Sequence, residues 1–272
     1  MTTATRTASL EEVAARLAGA RRLLIGTGAG MSADSGIATY RRVGETGWQA
    51  YGKTAGVDAA DLMTPRAFEE EPARAWGFLE LRRRDCAAAV PHPGYAALHA
   101  IAARAPEAFV QTTNVDGLHP RAGWTGGFHE IHGSIWRLQC VGPCSRSFWP
   151  NEQVPWCELE ETGLARDWPR CPACGRTARP HAILFADLEY TGNLAPEAAR
   201  RAFHEAGPDV VLVVGESGAI PTHAHDAQTL RRVRGACWIE INPDPGARGA
   251  RLADLYLPLG AREALVGLAE LL

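Results

Sequence analysis

The sequence predicts an α/β chain: a parallel-sheet core with a small zinc-binding module and a helical insertion. Three observations point there. Short apolar runs each end in a glycine-rich or polar loop, two cysteine pairs lie close together, and one long stretch after the first run has a helical pattern. At 272 residues and 46% hydrophobic content there is room for one large domain with insertions.

Taken in order, Ser9-Leu10-Glu11-Glu12 reads as a capping box that opens a helix, with Val13 and Leu17 on its apolar face. The run Leu23-Leu24-Ile25 is a short strand leading into Gly26-Thr27-Gly28-Ala29-Gly30, as at the entry to a nucleotide-binding fold. Residues from about 42 to 89 read as helical, with Trp76, Phe78, Leu79 and Leu81 beside Arg82-Arg83-Arg84. Further strands are Ala108-Phe109-Val110, which ends at the polar cluster Gln111 to Asp116, then Val210 to Val214 and Cys237 to Ile241. Polar or glycine-rich loops after buried strands are how a parallel sheet presents ligand loops at its carboxyl edge. Arg262 to Leu272 reads as a closing amphipathic helix. The expected division is a Rossmann-like core over 1–41, 90–137 and 180–272, a helical insertion over 42–89 and a zinc module over 138–179.

A net charge of -3 with scattered arginines leaves no footprint for nucleic acid or an anionic membrane. Met1-Thr2-Thr3-Ala4 lacks the basic-then-apolar run of a secretory signal, so the expected location is the cytoplasm. Cysteine usage agrees: seven is an odd count, and two close pairs dominate it. Cys140 and Cys144, then Cys171 and Cys174, are separated by 26 residues, spacing that lets four thiolates share one tetrahedral zinc ion. With no open coordination position, such an ion is structural. Cys86, Cys157 and Cys237 remain as small hydrophobes.

By itself the turn around Gly28 and Gly30 fits either a pyrophosphate site or an ordinary β–α loop. The longer string from Gly28-Ala29-Gly30-Met31-Ser32 through Gly36-Ile37 to Thr39-Tyr40-Arg41 closely resembles the first signature of the sirtuins, NAD-dependent protein deacylases. A second string, Thr112-Thr113-Asn114-Val115-Asp116-Gly117-Leu118-His119, and a third, Glu130-Ile131-His132-Gly133-Ser134, follow in that family's order. So do Phe185-Ala186-Asp187, Gly215-Glu216-Ser217 and Ile241-Asn242-Pro243.

The resemblance implies NAD and one structural zinc as cofactors, and an acyl-lysine protein or peptide as substrate. It assigns Gly28, Ala29, Gly30 and Ser32 to the NAD-binding turn and Tyr40 and Arg41 to the ribose and phosphate. Thr113, Asn114 and Asp116 fall at the nicotinamide pocket, with Asn114 and Asp116 also in catalytic positions. Gly215, Ser217, Asn242 and Ala261 fall to the adenosine half. His132 is implied to be the general base, a task that suits an imidazole near neutral pH. The implied products are lysine, nicotinamide and 2′-O-acyl-ADP-ribose; the alternative is NAD hydrolysis or ADP-ribosyl transfer on the same scaffold.

Several positions depart from the family. Thr113 replaces a glutamine, Glu216 a threonine, and Phe185-Ala186-Asp187 stands for the substrate-clamping Phe-Gly-Glu. Glu216 is expected to set a carboxylate beside the cofactor surface. Thr39 matches the subgroup that removes acidic acyl groups, whose Tyr-x-x-Arg pair is best matched by Leu79 and Arg82. Arg82 reads equally as an acyl-carboxylate partner and as a surface arginine.

Overall fold

The computed structural model describes residues 6–38, 59–142, 144–151 and 155–272. Their strands are β1 (Arg6–Thr7), β2 (Arg22–Thr27), β3 (Glu107–Thr112), β4 (Gly127–Glu130) and β5 (Gly133–Cys140), followed by β6 (Phe148–Pro150), β7 (Ala178–Ala182), β8 (Val210–Val214), β9 (Cys237–Ile241) and β10 (Leu255–Leu257). Seven of these form one sheet, ordered β1-β10-β9-β8-β2-β3-β4, with every pairing parallel. The chain leaves β2 toward β3 on one side and returns through β8 on the other. Strand order therefore reverses at β2 and β8, and the crevice above their carboxyl ends is where a doubly wound sheet takes its ligand.

The strand sequences explain this sheet. Val210 to Val214 is buried throughout, as a strand covered on both faces must be. Helices supply the cover, and the first opens with the expected capping box at Ser9 and Glu12. β2 and β3 run further than their apolar runs: Gly26, Thr27, Gln111 and Thr112 all stay in the ladder between β2 and β3. The short strands β1, β4 and β10 carry no readable alternation and are set by pairing at the sheet's flanks.

The helical stretch contains Ala59–Leu62, Pro65–Glu70 and Pro72–Ala88. Tyr40 and Arg41, expected at the cofactor, lie outside the described residues, as does Thr39. A second, antiparallel sheet is ordered β6-β5-β7 and reaches from Gly133 to Ala182, beyond both ends of the cysteine-rich stretch. Arg83, Glu80 and Arg84 tie the long helix to this part: Arg83 donates to the Asn151 carbonyl and Arg84 to that of Cys157.

After β7, Asp187 turns inward. Its carboxylate meets the Arg179 guanidinium at 2.9 Å, both side chains being 0% exposed. It also accepts the N–H groups of Leu184 and Glu189. Thus the aspartate in the Phe185-Ala186-Asp187 loop shapes that loop. Removing one partner strands a buried charge, so Asp187→Ala is expected to lower stability by about 3–5 kcal/mol, read from urea unfolding; a loss within 1 kcal/mol would show the pair to be dispensable.

Candidate functional site

The crevice is built by loops that touch through glycine. Gly30 donates its N–H to the Gly215 carbonyl at 2.9 Å, and Gly28 donates to Val214 at 2.9 Å. A Cβ on Gly30 would lie 2.7 Å from the Gly215 Cα, and Gly215 itself sits at φ +69. Only glycine lets these two loops close to backbone contact. Gly28 then caps the short Ala29–Ala33 helix.

Around this turn lies a hydrogen-bond network whose direction is set by chemistry. The Asp116 carboxylate accepts the Ser32 hydroxyl at 2.6 Å and the Leu118 N–H at 2.9 Å. Ser32 has one proton, already given to Asp116. It therefore accepts from Asn114 Nδ2 at 2.9 Å and from the Tyr95 hydroxyl at 3.1 Å. Asn114 Nδ2 also donates to the Gly28 carbonyl at 2.9 Å. Ser32, Asn114 and Asp116 are thus brought together at one point. Burial pushes the Asp116 carboxyl above its ordinary range, opposed by those two donors and by the charges of Arg82 and Arg121.

His132 stands half-buried between β4 and β5. Its backbone is pinned by the Ile183 N–H at 2.9 Å. Burial lowers its pKa from the ordinary histidine value, and the nearby Thr113 backbone acts the other way, toward the protonated ring. Thr113 cannot leave: its N–H is held by the Thr27 carbonyl at 3.0 Å.

On the far side of the Gly215 loop, Asn242 Nδ2 donates to the Glu216 carbonyl at 2.8 Å and its Oδ1 accepts the Asp244 N–H. Ser217 is half-exposed beside it, and Ala261 opens the final helix. Glu216 differs from expectation. Its carboxylate accepts the N–H groups of His223 and Ala224 at 2.7 and 2.8 Å, at the start of the Thr222–Arg234 helix. The charge is drawn to the helix amino end, where donors lack intrahelical partners, instead of to a cofactor surface.

The acyl-side residues separate. Leu79 is 1% exposed within the main core. Arg82 is mostly covered, its side chain 13% exposed, with Nη2 3.5 Å from the Ala38 carbonyl and its charge felt at Asp116. Its Nη1 lies 3.5 Å from the carboxylate of Asp85, an exposed residue one turn along the same helix. Phe185 is 39% exposed and its N–H is held by the Met63 carbonyl, linking the loop to the helical stretch. Ala186 adopts φ 54, a left-handed conformation natural to the glycine it replaces.

Sequence reasoning missed Tyr95, whose partner Ser32 lies 63 positions away. No local pattern marks such a contact.

The four cysteines converge. Cys140 and Cys174 sulfurs are 3.6 Å apart, those of Cys144 and Cys171 3.5 Å, and all four lie within 4.8 Å of one another. Thiolates about 2.3 Å from a tetrahedral ion sit about 3.8 Å apart, so the donor set fits zinc. Cys86 and Cys157 are buried in the core, as expected.

Comparison with known proteins agrees with this geometry. The Sir2 family model matches residues 28–222. NAD-dependent protein deacylase 1 of Pseudomonas aeruginosa is 39% identical over 231 residues, 84% of this chain and 86% of its own. NAD-dependent protein deacylase 2 of Pyrobaculum aerophilum is 36% identical over 263 residues, 95% and 94% of the two chains. Among solved structures, a Sir2 homologue in complex with NAD aligns with TM-score 0.79 at 27% identity, over 98% of this chain and 94% of that one. Another, a mutant Sir2 homologue with 2′-O-acetyl ADP ribose, gives 0.78 at 29% over 96% and 95%.

Purified protein is expected to hold one zinc per chain by metal analysis. Cys171→Ser should lose it and melt at a markedly lower temperature, because a structural ion's binding energy is part of the folding energy; a folded, zinc-free wild-type preparation would overturn the assignment.

Proposed function

This chain belongs to the Sir2 family, and from that premise we infer that it is an NAD-dependent protein deacylase acting on acyl-lysine side chains. The observation that carries the reading is a half-buried histidine, His132, held against Thr113 beside the Ser32–Asn114–Asp116 network at the switch point of the sheet.

NAD brings an electrophilic ribose carbon with nicotinamide as leaving group, and the acyl group ends on the sugar as 2′-O-acyl-ADP-ribose. What the protein contributes follows from its own residues. In the Gly28–Gly30 turn the Gly28 and Gly30 N–H groups are taken by Val214 and Gly215, so the Ala29 N–H at the helix start faces the diphosphate. Ser217, Asn242 and Ala261 serve the adenosine half, and Asn114 and Asp116 the nicotinamide. His132, its pKa lowered by burial, is the neutral ring that accepts a ribose hydroxyl proton. Thr113 is too short to replace a glutamine amide at the ribose, and it serves this site through its backbone. Phe185 and Ala186 face the peptide, and Arg82 the acyl end. The Rossmann-like core, helical stretch and cysteine-bearing module are proposed to be the three working units. No helix among the described residues is long and apolar enough to cross a membrane.

His132→Ala is expected to keep NAD binding by calorimetry while losing product formation by at least about a hundredfold. In wild type the ring must be neutral to accept a proton. Activity is therefore present above its pKa and lost as pH falls through it, and the acid limb of kcat/KM, which reports the free enzyme, should lie below 6.5. Unchanged turnover in the variant would remove His132 from the reaction, and nicotinamide release that needs no acyl peptide would favour NAD hydrolysis or ADP-ribosyl transfer.

A guanidinium near the acyl end would gain a charge-assisted bond to a succinyl carboxylate worth about 1.5–3 kcal/mol. Arg82→Met should lower kcat/KM on succinyl-lysine peptide by about tenfold or more and leave acetyl-lysine peptide nearly unchanged. Equal losses on both would assign Arg82 to the support of Asp116 instead.

A further inference from the structure

Behind the crevice, on the sheet face shared with Leu24 and Trp238, lies a histidine that none of the signatures includes. His223 is 0% exposed at the start of the Thr222–Arg234 helix. Its ring presses on β2 where there is no side chain: a Cβ at Gly26 would come within 2.8 Å of the ring Cγ. Nε2 lies 2.9 Å from the Thr27 carbonyl. A carbonyl only accepts, so this nitrogen carries the proton. Nδ1 lies 3.1 Å from Gln111 Nε2, whose other proton goes to the Asp226 carboxylate at 2.9 Å. That carboxylate fixes the amide's orientation, and the amide oxygen accepts from His204 at 3.0 Å. The ring is therefore locked as one neutral tautomer, and burial takes its pKa down to about 4 against the field of Asp226, with Arg200 and His132 acting in the same direction as burial.

The Thr27 carbonyl is where this network meets the site. Besides His223 it accepts the Thr113 N–H at 3.0 Å and the Thr112 hydroxyl at 3.1 Å. The Ile131 N–H, one residue before His132, is held by the Thr112 carbonyl at 2.8 Å, which sets the Thr113 backbone beside His132. Thr27 and Thr113 thus stand between the buried histidine and the functional one. We propose that His223 is a positioning residue for the deacylation reaction: by donating to the Thr27 carbonyl it holds the Thr113 backbone where that backbone orients His132. The proposal rests on the reading of His132 as the base.

The test compares His223→Phe, which keeps a flat ring and removes the donor, with His223→Gln, whose amide nitrogen reaches about as far as Nε2. Each is assayed with NAD and acyl-lysine peptide across pH, beside His132→Ala. The expected result for the phenylalanine variant is a fall in kcat of about tenfold, within the hundredfold that a 1 Å misplacement can cost, with little change in the KM for peptide. Its acid limb should move to lower pH, because the Thr113 backbone, which favours the protonated ring, is displaced. The glutamine variant should restore most of both. If the phenylalanine variant does not fold, His223→Asn takes its place, since its shorter amide cannot reach Thr27; activity retained by glutamine and lost by asparagine supports the proposal. Equal losses in all His223 variants with an unmoved acid limb, or wild-type kinetics in the phenylalanine variant, would overturn it. A fully active His132→Ala would instead overturn the reading on which it rests.

Discussion

Two backbones in contact organise this site. The loops after β2 and β8 leave adjacent parallel strands, and Gly30 and Gly215 let them touch where any side chain would collide. From that contact the rest is placed in sequence. The Gly28 carbonyl receives Asn114, Asn114 reaches Ser32, and Ser32 donates to Asp116. On the other side, Glu216 is directed into the next helix start, and its carbonyl receives Asn242. A Rossmann-like sheet supplies the switch point, and the glycines turn it into a crevice with positioned polar groups.

The cysteine module acts at a distance through strand geometry. β5 has His132 just before one end and Cys140 at the other. β7 follows Cys174 and leads to Ile183, whose N–H pins the His132 carbonyl. An ion at the four sulfurs would hold the far ends of the strands whose near ends carry His132 and the Phe185 loop. The Arg179–Asp187 pair closes the same loop from within. In this chain the acidic residue of that loop has a buried partner.

Burial decides the electrostatics more than charge pairing does. His132, His223 and His119 all have lowered pKa values with burial as the largest cause, and the last falls to about 3. Asp116 and Glu216 are raised for the same reason. Neutral imidazoles in a low-dielectric wall give directed hydrogen bonds without competing charge. Only the Thr113 contact pulls His132 back toward its ordinary range, which is why the placement of that backbone matters to the base.

Much of this was legible in the sequence. Val210 to Val214 and Cys237 to Ile241 read as strands and are strands, because burial on both faces demands unbroken apolar runs. The capping box at Ser9 and the four cysteines depend on neighbours three or four residues apart, spacing that the sequence states directly. Other features depend on contacts between distant segments. Gly26 and Thr27 read as turn but lie in the ladder, since pairing with β3 and β8 continues past the apolar run. Glu216 read as a charge beside the cofactor, but the helix start at His223 claims it. Leu79 read as an acyl-pocket residue and sits in the core. Tyr95 over Ser32, and His223 under Gly26, join residues 63 and more positions apart. The sequence by itself determined the fold class and the four cysteines that converge, whose signals are local, and it singled out His132 as the base proposed here. The direction of each polar side chain was decided only by tertiary structure, because it depends on which distant donor or acceptor arrives beside it.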